Sequence, residues 1–370
     1  MRLISCLLPI LVGSVAIACQ DPPAEAVDRT VPRQAIRDTT DPPPVRQYTV
    51  EHRSGPIVVD GDLEDTAWQS APWTEAFLGI EGEQQPTPRL GTRVRMLWDD
   101  EFWYLAVELE EPDLWATIQA RDSVIFLDND FEWFVDPDGD THRYFEFEIN
   151  ALGTEWDLFL PKPYRDGGQA DNGWNIAGLR AAVRIHGTLN DPGDLDRGWT
   201  IEMAVPWAAF ADSGRTRVPP MAGDSWRLNF SRVQWDLDVV DGGYRKRIDS
   251  TSGKPRAEHN WVWSPQGEIN MHMPEMWGAM IFLDAADSGS AVLPPAPRGA
   301  SVHWALRRVY YAQRSFHRLH HRWASRFEEL GLTGLPAGLE LRLTPDGYHA
   351  SMPGPTGVRA IRADGLLWTP

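Results

Sequence analysis

Cysteine is almost absent from this chain of 370 residues, with only Cys6 and Cys19. A disulfide framework and a cysteine-based zinc site are therefore excluded. Positive charge is also scarce: 35 Lys and Arg stand against 53 Asp and Glu, a net charge of −18. Nucleic acid is an unsuitable partner for such a chain, because phosphate binding relies on clustered basic side chains. No G-x-S-x-G, H-E-x-x-H or Walker-type loop occurs, so those catalytic classes have no foothold. Beyond the first residues no apolar run is long enough to span a bilayer. What the chain does have is 18 Trp within a globular composition of 42% hydrophobic residues. Tryptophan in that quantity points to thick aromatic cores and stacking surfaces.

Arg2 followed by the apolar stretch Leu3 to Ile17 reads as an export signal, too short and too interrupted to be a transmembrane helix. Val15-Ala16-Ile17-Ala18-Cys19 resembles the lipobox of bacterial lipoproteins. This predicts a signal peptide at residues 1–19, lipidation of Cys19 and a membrane anchor. Gln20 rather than Asp after the cysteine points to the outer membrane or cell surface. Residues 20–47 carry Asp21-Pro22-Pro23 and Asp41-Pro42-Pro43-Pro44 with little to bury, which predicts an extended tether. A second proline-rich break at 286–300 predicts a linker.

Between the two breaks, residues 48–285 alternate with period two. Val94, Met96 and Trp98 share one face, and so do Leu105, Val107 and Leu109. The same holds for Phe131, Trp133 and Val135, for Phe145, Phe147 and Ile149, and for Trp199, Ile201, Met203 and Val205. Many half-buried strands separated by Asp/Gly/Pro turns predict a mainly β domain, an antiparallel β-sandwich. Leu63 to Ser70 and Pro206 to Ala211 are short helix candidates.

Ile57 to Trp68 (IVVDGDLEDTAW) resembles the opening of carbohydrate-binding module family 9. Further blocks agree in the same order: Val94 to Asp100 with Trp103-Tyr104-Leu105, Asp130 to Pro137, Gly198 to Trp207, Trp226 to Arg232, and Trp261 to Gly278. The resemblance implies a β-sandwich that binds sugar chain ends and carries structural calcium. It also implies a site in which two Trp clamp a terminal sugar beside a carboxylate, an Arg and an amide. On this sequence the carboxylate position is Glu132 and the amide is Asn150. Three positions depart from the pattern: the Arg reads Glu148, and the two Trp read Phe126 and Met271. His272 stands beside the second clamp position.

Elementary chemistry asks for the same parts, an aromatic plate for the C–H face of a pyranose and fixed polar groups for its hydroxyl rim. Trp174, in the polar Gly-rich loop that also holds Tyr164 and Arg165, is a stacking candidate or else folds back on the sandwich. Strand alternation puts Glu132, Glu146, Glu148 and Asn150 on the face opposite Phe131, Phe145 and Phe147. That face is either a solvated outer surface or a ligand-facing one. Asp128, Asp130, Asp136, Asp138 and Asp140 form an oxygen-rich segment open to calcium or to water. It lacks EF-hand spacing, and no other cofactor is expected.

Residues 301–370 change character. Leu306, Val309, Tyr310, Phe316, Leu319, Trp323, Phe327 and Leu330 mark one side of a basic amphipathic helix predicted to run to Gly331. Two hairpins follow, turning at Pro345-Asp346-Gly347 and Asp364-Gly365. The helix either docks on the acidic body or, over 301–330, serves a protein partner. The resulting expectation is a non-catalytic oligo- or polysaccharide-binding lipoprotein that supports carbohydrate catabolism by glycoside hydrolases. The alternatives are an enzyme acting on O-glycosyl bonds and an assembly lipoprotein using the sandwich as scaffold.

Overall fold

The computed structural model describes residues 40–213, 217–284 and 299–370. Cys6, Cys19, most of the predicted tether and nearly all of the predicted linker lie outside them. The chain begins with β1 (Gln47–His52), β2 (Leu78–Gly79), β3 (Thr92–Trp98) and β4 (Phe102–Glu110). It continues through β5 (Asp130–Asp136), β6 (Tyr144–Asn150), β7 (Glu155–Leu160), β8 (Arg180–His186) and β9 (Gly198–Pro206). Then come β10 (Ser225–Gln234), β11 (Leu237–Val240), β12 (Gly243–Lys246), β13 (His259–Val262) and β14 (Gly278–Leu283). The C-terminal part is α1 (Ala300–His320), β15 (Glu340–Thr344), β16 (Gly347–Gly354), β17 (Gly357–Arg362) and β18 (Leu367–Trp368). No described helix is long and apolar enough to cross a membrane.

One continuous sheet runs β7-β6-β5-β10-β14-β1-β3-β4-β9-β8, with β13 and β2 branching from β10. It is mixed rather than purely antiparallel. β1 lies parallel to both neighbours, Gln47 opposite Ala279 on β14 and His52 opposite Trp98 on β3. Side-chain alternation marks a segment as strand but is the same for either partner direction, so this departure was invisible in the pattern.

The sheet folds over so that the apolar faces of its two halves meet. Trp133, Phe145, Phe147, Trp226 and Phe230 come from one half, and Met96, Trp103, Leu105, Trp199 and Met203 from the other; all belong to one buried cluster. Trp103 and Trp133 meet edge to face at 5.7 Å, and Phe210 from the 3-10 turn Trp207–Ser213 closes one end against Trp226 at 5.3 Å. Burial of each large ring stabilises the fold by roughly 2–3 kcal/mol. The opening block is explained by Glu202, buried on β9. It accepts the Asp60 and Gly61 amides and the Trp68 indole N–H. Gly61 has φ +82°, and a Cβ there would stand 3.0 Å from the Arg184 amide nitrogen, so glycine is required.

In the C-terminal unit, Leu306, Val309 and Tyr310 of α1 pack on Tyr348, Ala350 and Ile361 of the four-stranded sheet β15–β18, together with Met273 and Met276 of the main body. The helix ends earlier than the apolar pattern suggests. His321 takes a left-handed conformation (φ 52°) and its amide bonds the His317 carbonyl. Gln313 then exchanges two 2.9 Å hydrogen bonds with the Ala324 backbone, turning the chain back so that Trp323 reaches Tyr348. Over the first part of the helix the basic and apolar side is turned onto the protein itself, while Leu319 near its end is 76% exposed. Arg307 and Arg308 are buried, Arg314 pairs with Asp166 at 2.7 Å, and Tyr310 donates to Asp166.

Candidate functional site

The outer face of β5, β6 and β7 collects the chemistry. In register, Ser231 lies opposite Glu132, Glu132 opposite Glu148, and Glu148 opposite Trp156, which gives one row of side chains across four strands. The next row is Asn229, Phe134, Glu146 and Leu158. The acids of this face are not solvated: Asp130 and Glu148 are each 1% exposed, and Glu132 and Glu146 each 5%. Beside them stand loops that adjoin β5 and β7, at Phe126 and Tyr164, and a distant one at Met271.

One oxygen each of Asp130, Glu132 and Glu148 fall within 4.8 Å of one another. None of these three, nor Glu146, forms an ion pair among the described residues. Asp130 Oδ2 and Glu146 Oε2 are buried without a hydrogen-bond partner. Burial, reinforced by the neighbouring acids, raises all four carboxyls. Glu132 is held at about 7, chiefly by burial, with Glu258 adding to it. Burial and then Glu132 push Glu146 well up. Burial, Glu132, Asp130 and Glu146 do the same to Glu148.

Two rings stand at the rim. Phe126, in the 3-10 turn Ile125–Leu127, is 37% exposed, and its amide donates to Glu148 Oε2 at 2.9 Å. It stacks on Trp156 at 6.4 Å, and its carbonyl accepts the Trp235 indole N–H. Tyr164 is 47% exposed; burial of its hydroxyl, Glu146 and Glu148 all raise its pKa, which places it against the same acids. His272 meets Tyr164 edge to face at 4.5 Å and shares a 3.0 Å hydrogen bond with the Tyr144 hydroxyl. Burial and then Arg165 depress His272 to about 3, so its imidazole is neutral. Met271 is half-buried, its sulfur accepting from Gln266, in an apolar cluster with Phe134, Tyr144, Trp156 and Trp277. Phe126, Glu132, Glu148, Tyr164, Met271 and His272 therefore share one face.

Two predicted residues do not join them. Asn150 has every hydrogen-bonding position occupied. Its amide donates to Ile118 O and Asp128 Oδ2, and its oxygen accepts the Leu152 and Thr154 amides, so it is a loop clasp rather than a ligand amide. Trp174 folds back to the other side of the sheet, against Phe145 at 5.1 Å. The five aspartates also fail to converge. Asp128 caps Thr117 and Ile118 through both oxygens. Asp130 belongs to the Glu132–Glu148 group, while Asp136, Asp138 and Asp140 form a separate one. That second group is a docking turn more than a solvated one: the Leu367 amide bonds Asp140 O, and the Thr141 hydroxyl bonds Gly365 O. Trp156 was missed by sequence reasoning, although Trp156, Leu158 and Leu160 alternate like the other strands. Alternation placed Glu146 on this face, whereas Asp130 was read only as a possible calcium ligand and not as part of the rings' surroundings.

Residues 59–280, more than half of the chain, match the family described as carbohydrate family 9 binding domain-like. The chain belongs to that family. Glu132, Glu148, Phe126 and Met271 all lie inside the matched region of this family 9 domain, and residues 299–370 lie outside it. Over 213 residues the chain is 26% identical to phenyloxazoline synthase MbtB of Mycobacterium sp. (strain MCS), covering 54% of this chain and 17% of that protein. The chain thus spans about a sixth of the length of that curated relative. Among solved structures, a candidate carbohydrate-binding protein of Bacteroides uniformis superposes with TM-score 0.47 at 17% identity, over 65% of this chain and 100% of that one. A family 9 module of Caldicellulosiruptor kristjanssonii, solved with cellotriose, gives TM-score 0.41 at 16% identity, over 68% and 100%.

Proposed function

We propose that the rim between Phe126 and Tyr164 holds a neutral saccharide without cutting it. The observation that carries this reading is two exposed rings standing beside a floor of buried carboxylates that no Lys, Arg or His pairs with among the described residues, in a family 9 domain. The rings supply a surface for a pyranose C–H face. Once a saccharide enters between them, Glu132 and Glu148 accept from its hydroxyls. Glu148 stands where the family resemblance implies an Arg, so the site favours hydroxyl donors and repels uronates.

Glu132, held at about 7, would also suit a general acid. One of its oxygens lies within 4.8 Å of one oxygen each of Asp130 and Glu148. A retaining pair stands ~5–5.5 Å apart and an inverting pair wider still, across the bond to be broken. The arrangement favours grip over cleavage. In this proposal the chain is exported, lipidated at Cys19 and held at the cell envelope, where it presents glycan to partner glycoside hydrolases.

Calorimetry against neutral and uronate-containing oligosaccharides tests the reading. Neutral chains are expected to bind, with Phe126→Ala and Tyr164→Ala each weakening affinity about tenfold. Trp174→Ala is expected to bind as wild type. Wild-type affinity in both rim variants, or release of reducing ends from the glycan, would overturn it.

A further inference from the structure

Away from the rim, a cavity of about 420 Å³ lies where α1 meets the main body. Pro43, Pro44 and Trp304 give it apolar lining, and Arg227, Glu275 and Arg307 give it charge. The start of α1 enters it at Ala300 and Ser301, with no acid in the first turn and no side-chain cap. A helix begins with amides that have no partner within it and with a partial positive charge. That end alone would hold an anion only weakly. Arg307, two turns further along the same helix, is the stronger observation. It is 1% exposed, and its Nη2 donates to the Thr141 hydroxyl at 3.2 Å, yet its Nε and Nη1 have no acceptor. Arg227, on β10, donates from Nη1 to the Trp277 carbonyl. Neither arginine forms an ion pair among the described residues. The acids that act on them have other partners. Glu275 accepts from Arg165 and the Tyr311 hydroxyl, and Asp136 accepts the Gly139 and Thr141 amides. His303, also in the lining, is held at about 4 by burial and then by Arg359, Arg227 and Arg307, so it is neutral and three cations converge on it. Buried N–H groups on a cation are costly until an acceptor meets them.

We infer that this cavity binds a small organic anion, its carboxylate held by Arg307, Arg227 and the first turn of α1, its apolar body against Pro43, Pro44 and Trp304. Two guanidinium groups offer the paired N–H donors that a carboxylate accepts. The volume falls in the range of roughly 300–1,000 Å³ typical of small-molecule sites, more than an inorganic ion fills. Most of the lining lies outside residues 59–280, so the site belongs to the C-terminal unit and its seam rather than to the family 9 domain. It is independent of the saccharide reading of the rim.

Calorimetry of the purified full chain with benzoate, butyrate, benzamide and inorganic phosphate tests the inference. One saturable site is expected for benzoate or butyrate, and the tighter of the two tells whether the cavity prefers a ring or a chain. Benzamide, the benzoate ring without its charge, should bind at least about tenfold more weakly than benzoate. Ser301→Asp sets a fixed carboxylate at the exposed start of α1, where the helix end favours it, so its melting temperature should equal or exceed wild type. That variant should lose at least about tenfold in carboxylate affinity, because its own acid competes for the same donors. Arg227→Gln keeps a donor for the Trp277 carbonyl and should lose as much. No saturable binding of either carboxylate, or phosphate bound in their place, would overturn the site. So would benzamide bound as tightly as benzoate, or carboxylate affinity unchanged in either variant that melts cooperatively.

Discussion

At the scale of single residues, the deciding feature is a set of acids placed where water cannot reach them. Glu132 has an ordinary carboxyl value of 4.5 and is held at about 7 in the fold, chiefly by burial. Between those values Glu132 carries a proton in the folded chain that it has lost in the unfolded one, so its contribution to stability falls as pH rises and levels off above about 7. Without divalent metal, the melting temperature is expected to be higher at pH 5 than at pH 8 by a few degrees. Glu132→Gln should flatten that slope and raise the value at pH 8. A scanning-calorimetry series in EDTA checks it; an unchanged slope in the variant would show that Glu132 does not titrate there. The sequence showed that these acids share a face but not that the face is covered. Phe126, Tyr164 and Met271, which sit over or beside it, come from three loops far from each other in the chain, and only the fold brings them together.

At the scale of elements, alternation disclosed the strands because each has one face in the aromatic core. The turns at Pro345-Asp346-Gly347 and Asp364-Gly365 disclosed the C-terminal hairpins. Two things stayed hidden for physical reasons. The parallel setting of β1 leaves no trace in alternation. The end of α1 falls at His321, where no glycine announces a left-handed residue. Asn150 shows how an element end can mimic a ligand contact: it lies on the right face, yet it holds together residues 118, 128, 152 and 154. Asn150→Ala leaves the amides and carbonyl it served without partners and should cost about 3 kcal/mol in urea unfolding. Saccharide affinity of the folded fraction should stay within about twofold. A stability loss below about 0.5 kcal/mol would show that the clasp is dispensable.

At the scale of the whole molecule, the C-terminal unit is joined to the main body through a buried ionic knot. Glu275 accepts from Arg165 at 2.8 Å and from the Tyr311 hydroxyl, and Asp166 accepts from Tyr310 and Arg314. Burial works against the charge on Glu275, yet Arg165 and Arg307 overcome it and hold the carboxyl at about 2. Removing one partner strands the others, so Asp166→Ala should destabilise by about 3 kcal/mol. It should also divide a single calorimetric transition into two, as the C-terminal unit loosens first. One unsplit transition at the wild-type temperature would mean that the two parts are held by apolar packing alone.

The same knot has a consequence for where the working protein ends. Arg165 and Asp166 directly follow Tyr164, and Glu275 lies three residues after His272. The clamp from α1 therefore grips the two loops that carry one side of the rim. A fragment cut at residue 280, at the limit of the family match, would keep every side chain proposed to touch a saccharide. It would have lost the brace that keeps Tyr164 at its post.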